Sequence, residues 1–169
     1  LALLFSSEEM AEAMSPATVL YVDHVAALSG GERSLLDLVR ALDRARFLPA
    51  LACPGDGPLP AAFRALGLPV HPLAARPDLF EVSRRSLDRG FFSGLKWIPG
   101  TISTAREVAR AARASGARLI VSNSLKAHVL ASLASWMTGL PLIWHMRDCL
   151  APGRTAHLMG LLARFSARR

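Results

Sequence analysis

The sequence predicts an α/β fold built on an open, doubly wound parallel sheet. Three observations carry that expectation. There are five short apolar runs of strand length, stretches of helical periodicity between them, and turn or polar residues closing the runs. Continuous apolar runs, rather than strict alternation, mark strands covered on both faces.

The elements follow in order. Residues 1–16 hold Glu8, Glu9 and Glu12 with no base and are predicted to form an extension, disordered or helical, ahead of one domain over 17–169. Thr18–Val22 (TVLYV) is the first strand and stops at Asp23-His24. Ser29 to Ala45 places Leu35, Leu38, Val39 and Leu42 at helical spacing. Phe47–Cys53 is a second strand, closed by the turn residues Pro54 to Pro58. Leu59 to Leu66 is a short helix ended by Gly67, and Pro69–Leu73 a third strand.

Residues 74–98 break the rhythm with proline, glycine, arginine and aromatics. Thr101 to Ser115 is a helix ended by Gly116, and Ala117–Val121 the fourth strand. Ser124 to Thr138 is a helix ended by Gly139, and Leu140–Trp144 the fifth strand. Leu158, Leu161, Leu162 and Phe165 give a last helix. Right-handed crossovers favour the order 3-2-1-4-5, a Rossmann-like sheet. Its switch point lies between strands one and four, which directs attention to loops 23–31, 122–124 and 145–153.

Composition narrows the class. The 169 residues suit one domain, and 51% apolar with 20% charged residues excludes a disordered chain. The net charge of +7 is uneven: 76–113 holds eight bases against four acids, and the part after 146 holds five against one. Such a surface suits phosphates, whether on a nucleotide, a nucleic acid or an anionic membrane. Cys53 and Cys149 lack metal-type spacing and imply a reducing compartment. In this strand order about 14 Å separates them, and a disulfide needs Cα atoms within about 7 Å, so two free thiols are expected. No run reaches membrane-spanning length. A chain opening on Leu1 is expected to be part of a longer product.

Candidate chemistry sits at the strand ends. In Ser29-Gly30-Gly31-Glu32 the glycines permit positive φ and leave backbone amides bare at a helix N-terminus, where phosphate or carboxylate binds. The same residues form a capping box, which only starts a helix; both roles can coexist. The loop is no dinucleotide fingerprint, strand two ends in Cys53-Pro54 rather than an acid, and no P-loop exists, so nicotinamide and P-loop chemistry are disfavoured. His145 and Arg147 can hold a hydroxyl and an anion, or Arg147 and Asp148 pair locally. Asn123 and Ser124 read as a helix cap, with Asn123 also facing the switch point. Asp23-His24 reads as structural before catalytic. The mix of Arg84, Arg85, Arg89, Phe91, Phe92, Lys96 and Trp97 suits an anionic membrane surface, against the plainer reading of an exposed loop; nucleic acid is disfavoured. No metal site is expected.

The stretch from Val19 to Leu73 and the run Ile120 to Asp148 (IVSNSLKAHVLASLASWMTGLPLIWHMRD) resemble the amino-terminal half of family 4 glycosyltransferases of the GT-B architecture. The likeness rests on the paired glycines with a nearby Glu, the P-x-D-G-P-L turn and the G-x-P-x-I-W-H-x-R-D run, and covers 17–169. It implies a retaining enzyme that moves sugar from a nucleotide-sugar donor to a glycan or lipid-linked acceptor, with no cofactor beyond that co-substrate. Carried over, Gly30 and Gly31 would face the donor diphosphate and His145 the transferred sugar, with Asn123, Arg147 and Asp148 on the acceptor side or structural. The resemblance also implies a carboxy-terminal donor domain missing from these residues, hence no transfer by this chain alone. A cytoplasmic location, peripheral at the inner face of the membrane, would follow. Two rivals are a non-catalytic acceptor-binding subunit of a split transferase and another GT-B enzyme such as a sugar-nucleotide epimerase.

Overall fold

A computed structural model gives the fold, described for residues 15–74, 98–146 and 153–166. The elements are β1 (Ala17–Val22), α1 (Gly30–Ala41), β2 (Phe47–Pro54), α2 (Pro58–Ala65), β3 (Val70–Leu73), α3 (Ile98–Ala114), β4 (Ala117–Ser122), α4 (Leu125–Thr138), β5 (Leu142–Trp144) and α5 (Arg154–Ser166). The five strands form one parallel sheet in the order β3-β2-β1-β4-β5, as expected. Residues 1–14, the basic aromatic segment from Arg84 to Trp97, and Arg147, Asp148 and Cys149 lie outside the described residues.

Alternation along the strands builds two cores. Leu20 and Val22 of β1 join Ala50, Ala52 and Ile120 on one face, beneath Val108 and Ala112 of α3 and Ala127 and Ala131 of α4. Val19 and Tyr21 point the other way with Leu51 and Cys53, onto Leu35 and Val39 of α1 and Phe63 of α2. Fully burying a side chain of the size of Leu35 or Phe63 contributes about 1.5–3 kcal/mol. Helices on both faces leave the carboxyl ends of β1 and β4 side by side at the centre.

Several element ends differ from the sequence expectation. The first helix stops at Ala41, not Ala45, because Leu42 turns extended and the amides of Arg46 and Phe47 bond to Asp43 O in a tight turn. The third helix begins at Ile98, where Thr101 was expected. Gly67, Gly116 and Gly139 all carry positive φ after their helices, and the Gly139 amide bonds to Ser135 O at 2.8 Å. The turn before α2 has a separate task. A Cβ on Gly57 would lie 2.6 Å from Ala26 O, and the Leu59 amide donates to that same oxygen at 3.0 Å. The loop after β1 is thereby pinned to the start of α2.

Candidate functional site

The loop after β1, the N-terminus of α1, the start of α4 and the residues after β5 enclose one cavity of about 700 Å³. Gly30, Gly31, Asn123 and His145 all line it. Parallel pairing of β1 with β4 and of β4 with β5 puts these strand ends in one row, and the His145 amide bonds to Ser122 O at 2.8 Å. The sequence-predicted residues within the described part are thus brought together.

The glycines act differently from the first reading. Positive φ is confined, among the described glycines, to Gly55, Gly67, Gly116 and Gly139, while Gly30 and Gly31 are the first two residues of α1. Their value is the missing side chain: a Cβ on Gly30 would meet nothing within 4 Å. The expected capping box is present. The Ser29 amide donates to Glu32 Oε2 at 3.0 Å, the Ser29 hydroxyl donates to the same oxygen, and the Arg33 amide bonds to Ser29 O. Among the described residues nothing accepts from the amides of Gly30 or Gly31, so the positive end of the helix opens into the cavity.

Beneath the glycines lies a residue that the sequence left in the background. Asp23 is fully buried at the end of β1. Its Oδ2 accepts from Asn123 Nδ2 at 2.7 Å, and its Oδ1 accepts from the His24 amide at 2.7 Å and the Ser124 hydroxyl at 3.2 Å. Ser124 occupies the cap position of α4, as expected, but its side chain makes no cap bond. It lies 2.6 Å from His24 Nδ1 instead. Asn123 is 4% exposed, its Nδ2 also approaches Gly31 O at 3.5 Å, and its Oδ1 is buried with no partner. An orphaned acceptor of this kind costs about 1–3 kcal/mol until something donates to it.

One group went unnoticed in the sequence altogether. His128 of α4 stacks on Trp144 of β5, with centroids 4.8 Å apart and planes 5° from parallel, and its Nδ1 lies 2.7 Å from Ser122 Oγ. It forms the inner wall of the cavity and ties α4 to the strand that carries His145. A histidine inside an apolar helix gives no sequence signal of that task. Among the described residues, no three His, Cys, Asp or Glu side chains group as metal ligands would. No helix there is long and apolar enough to cross a membrane. Cys53 is free and buried; burial first, then the negative charge of Asp23, pushes its thiol up to about 12.

With the geometry in place, comparison with known proteins gives a consistent answer. Residues 29–169 match the family model described as Glycosyl transferase 4-like domain. No curated protein gives a significant match. Among solved structures, HepE from Anabaena in complex with UDP aligns at a TM-score of 0.61 and 21% identity, over 88% of this chain and 35% of that one. A glycosyltransferase from Rickettsia africae aligns at 0.61 and 13%, over 88% and 35%. MurG from Acinetobacter baumannii aligns at 0.59 and 15%, over 88% and 39%. At such identities the likeness shows the fold alone, and it is the expected GT-B one. The chain spans little more than a third of the length of each.

Proposed function

We propose, from the premise that this chain belongs to the glycosyl transferase 4-like family, that it is the acceptor-side domain of a retaining sugar transferase. The observation that carries the reading is the single cavity shared by the bare N-terminus of α1 and His145. The donor is a nucleotide sugar, and the acceptor a glycan or a lipid-linked glycan. UDP and glucose in a HepE structure of the same fold support that donor class.

In this reading the amides of Gly30 and Gly31 face the donor diphosphate. The helix N-terminus favours the charge that grows on the leaving phosphate as the bond to the sugar breaks. The acceptor oxygen bonds to the anomeric carbon, and its proton leaves with the nucleoside diphosphate. His145 reaches the transferred sugar, Asn123, Arg147 and Asp148 stand on the acceptor side, and no metal or other cofactor takes part. The nucleotide itself sits mainly on a second domain, so the 169 residues alone bind and do not transfer. The segment holding Arg84, Arg85, Arg89, Phe91, Phe92, Lys96 and Trp97 rests on an anionic membrane at the cytoplasmic face.

The test is a titration of the ¹⁵N-labelled chain with UDP, read by amide NMR. Gly30, Gly31 and His145 should shift together and saturate with one constant. Shifts confined to other parts of the sheet, or none, overturn the reading. Turnover of a nucleotide sugar by the purified chain would contradict the two-domain requirement.

A further inference from the structure

The hydrogen bonds around Asp23 have a direction, and the direction fixes what the cavity can receive. A carboxylate accepts and does not donate. Asn123 must therefore aim its Nδ2 at Asp23 Oδ2, 2.7 Å away, which leaves Oδ1 facing elsewhere as a locked acceptor, buried and without a partner. On the other carboxylate oxygen, the Ser124 hydroxyl places its proton on Oδ1, so its oxygen accepts from His24 Nδ1 at 2.6 Å. The reverse order would set two lone pairs against each other, because His24 Nδ1 lies 3.3 Å from Asp23 Oδ1. The proton of a neutral His24 is thus on Nδ1. Its Nε2 carries a lone pair on a ring that lines the same cavity as Asn123.

We infer that the cavity is built for hydroxyl donors: Asn123 Oδ1 and His24 Nε2 are fixed acceptors, oriented by Asp23, for a sugar ring with free hydroxyl groups. That the polyol is a sugar rests on the transferase reading; that the site demands donors rests on the hydrogen bonds alone. Asp23 is a positioning residue, since it is fully buried and acts through the two side chains that meet the ligand. The arrangement divides the cavity by polarity. Donors, the glycine amides, serve an anion at the helix end, and acceptors serve hydroxyls at the strand ends.

The test uses the 169-residue chain with its histidine ring nitrogens labelled, at pH 8. First, the His24 ring should show a protonated Nδ1 and a bare Nε2; the opposite tautomer overturns the inference. Next, glucose, galactose, mannose and N-acetylglucosamine are titrated while the His24 ring and the Gly31 amide are followed. A saturable shift with at least one, weakened about tenfold when a single ring hydroxyl is removed from that sugar, is the expected result. No saturable shift with any of them, or undiminished binding of every deoxy analogue, overturns it. Asn123→Ala should bind that sugar about tenfold more weakly while the His24 tautomer stays as it was, and unchanged affinity in the folded variant overturns it too. UDP keeps the two readings apart. A response to UDP with none to sugar sinks this inference and leaves the transferase reading standing; a response to sugar with none to UDP does the reverse.

Discussion

Gly30→Ala separates ligand binding from folding at the N-terminus of α1. The added methyl meets no protein atom within 4 Å, so the folded chain accommodates it without movement. Gly30 is the first residue of the helix, ahead of the interior where alanine gains about 1 kcal/mol over glycine, so the melting temperature should stay at or slightly above that of the parent. A helical Cβ tilts toward the N-terminus of its helix, which is the direction from which an anion would approach the bare amides. Oxygen held about 2.9 Å from an amide nitrogen leaves no room for a methyl group beside it. Losing one charge-assisted hydrogen bond costs about 1.5–3 kcal/mol, which corresponds to UDP binding about ten- to a hundredfold weaker. Thermal melting by circular dichroism and an NMR titration with UDP read the two effects independently. A variant that melts at or above the parent temperature and binds UDP undiminished would refute the assignment of these amides to the diphosphate.

Three further outcomes follow from the packing and the charges. Gly57→Ala drives a Cβ into Ala26 O, so the loop after β1 must shift; a loss of about 1–3 kcal/mol is expected, read by urea unfolding, with UDP affinity falling as the cavity wall moves. Asn123→Asp sets a second carboxylate where 2.7 Å now separates Asn123 Nδ2 from Asp23 Oδ2; it should destabilise by about 2 kcal/mol or more at pH 7, with the deficit shrinking on acidification toward pH 4 as one proton comes to be shared, which melting at several pH values would show. The Cys53 thiol, raised from 9.0 to about 12, stays neutral in the fold while the unfolded chain ionises first; its contribution is present below pH 9 and lost between pH 9 and 12, and Cys53→Ala should flatten that part of the stability profile by up to about 1.4 kcal/mol per pH unit.

Much of the sheet was legible because its signal is local. Apolar stretches such as Val19–Val22 and Ile120–Val121 are buried with neighbours on both faces of the sheet, and right-handed crossovers leave few ways to order five such strands. Helix ends were less legible, since Asp43 closes a turn through backbone bonds that no periodicity reveals. In the site, the paired glycines and His145 could be read from their places after strands. Asp23 could be read only as a structural residue at a strand end, because its partners Asn123 and Ser124 lie a hundred residues further along the chain, and Ser124 looked like an ordinary cap. His128 was hidden for a similar reason: only the fold lays it against Trp144.

The carboxylate of Asp23 also imposes an order on events. Its side-chain partners arrive from beyond β4, so closing that loop of a hundred residues costs about 4 kcal/mol of chain entropy before any of the bonds can form. A fragment ending at residue 74 would keep the glycines and their helix, yet it would strand an ion in the middle of an unfinished sheet. Exchanging residues 98–146 with those of a relative would accordingly transplant half of the recognition surface in one step, and only donors that bring their own asparagine and serine at these places would leave the graft with a working pocket.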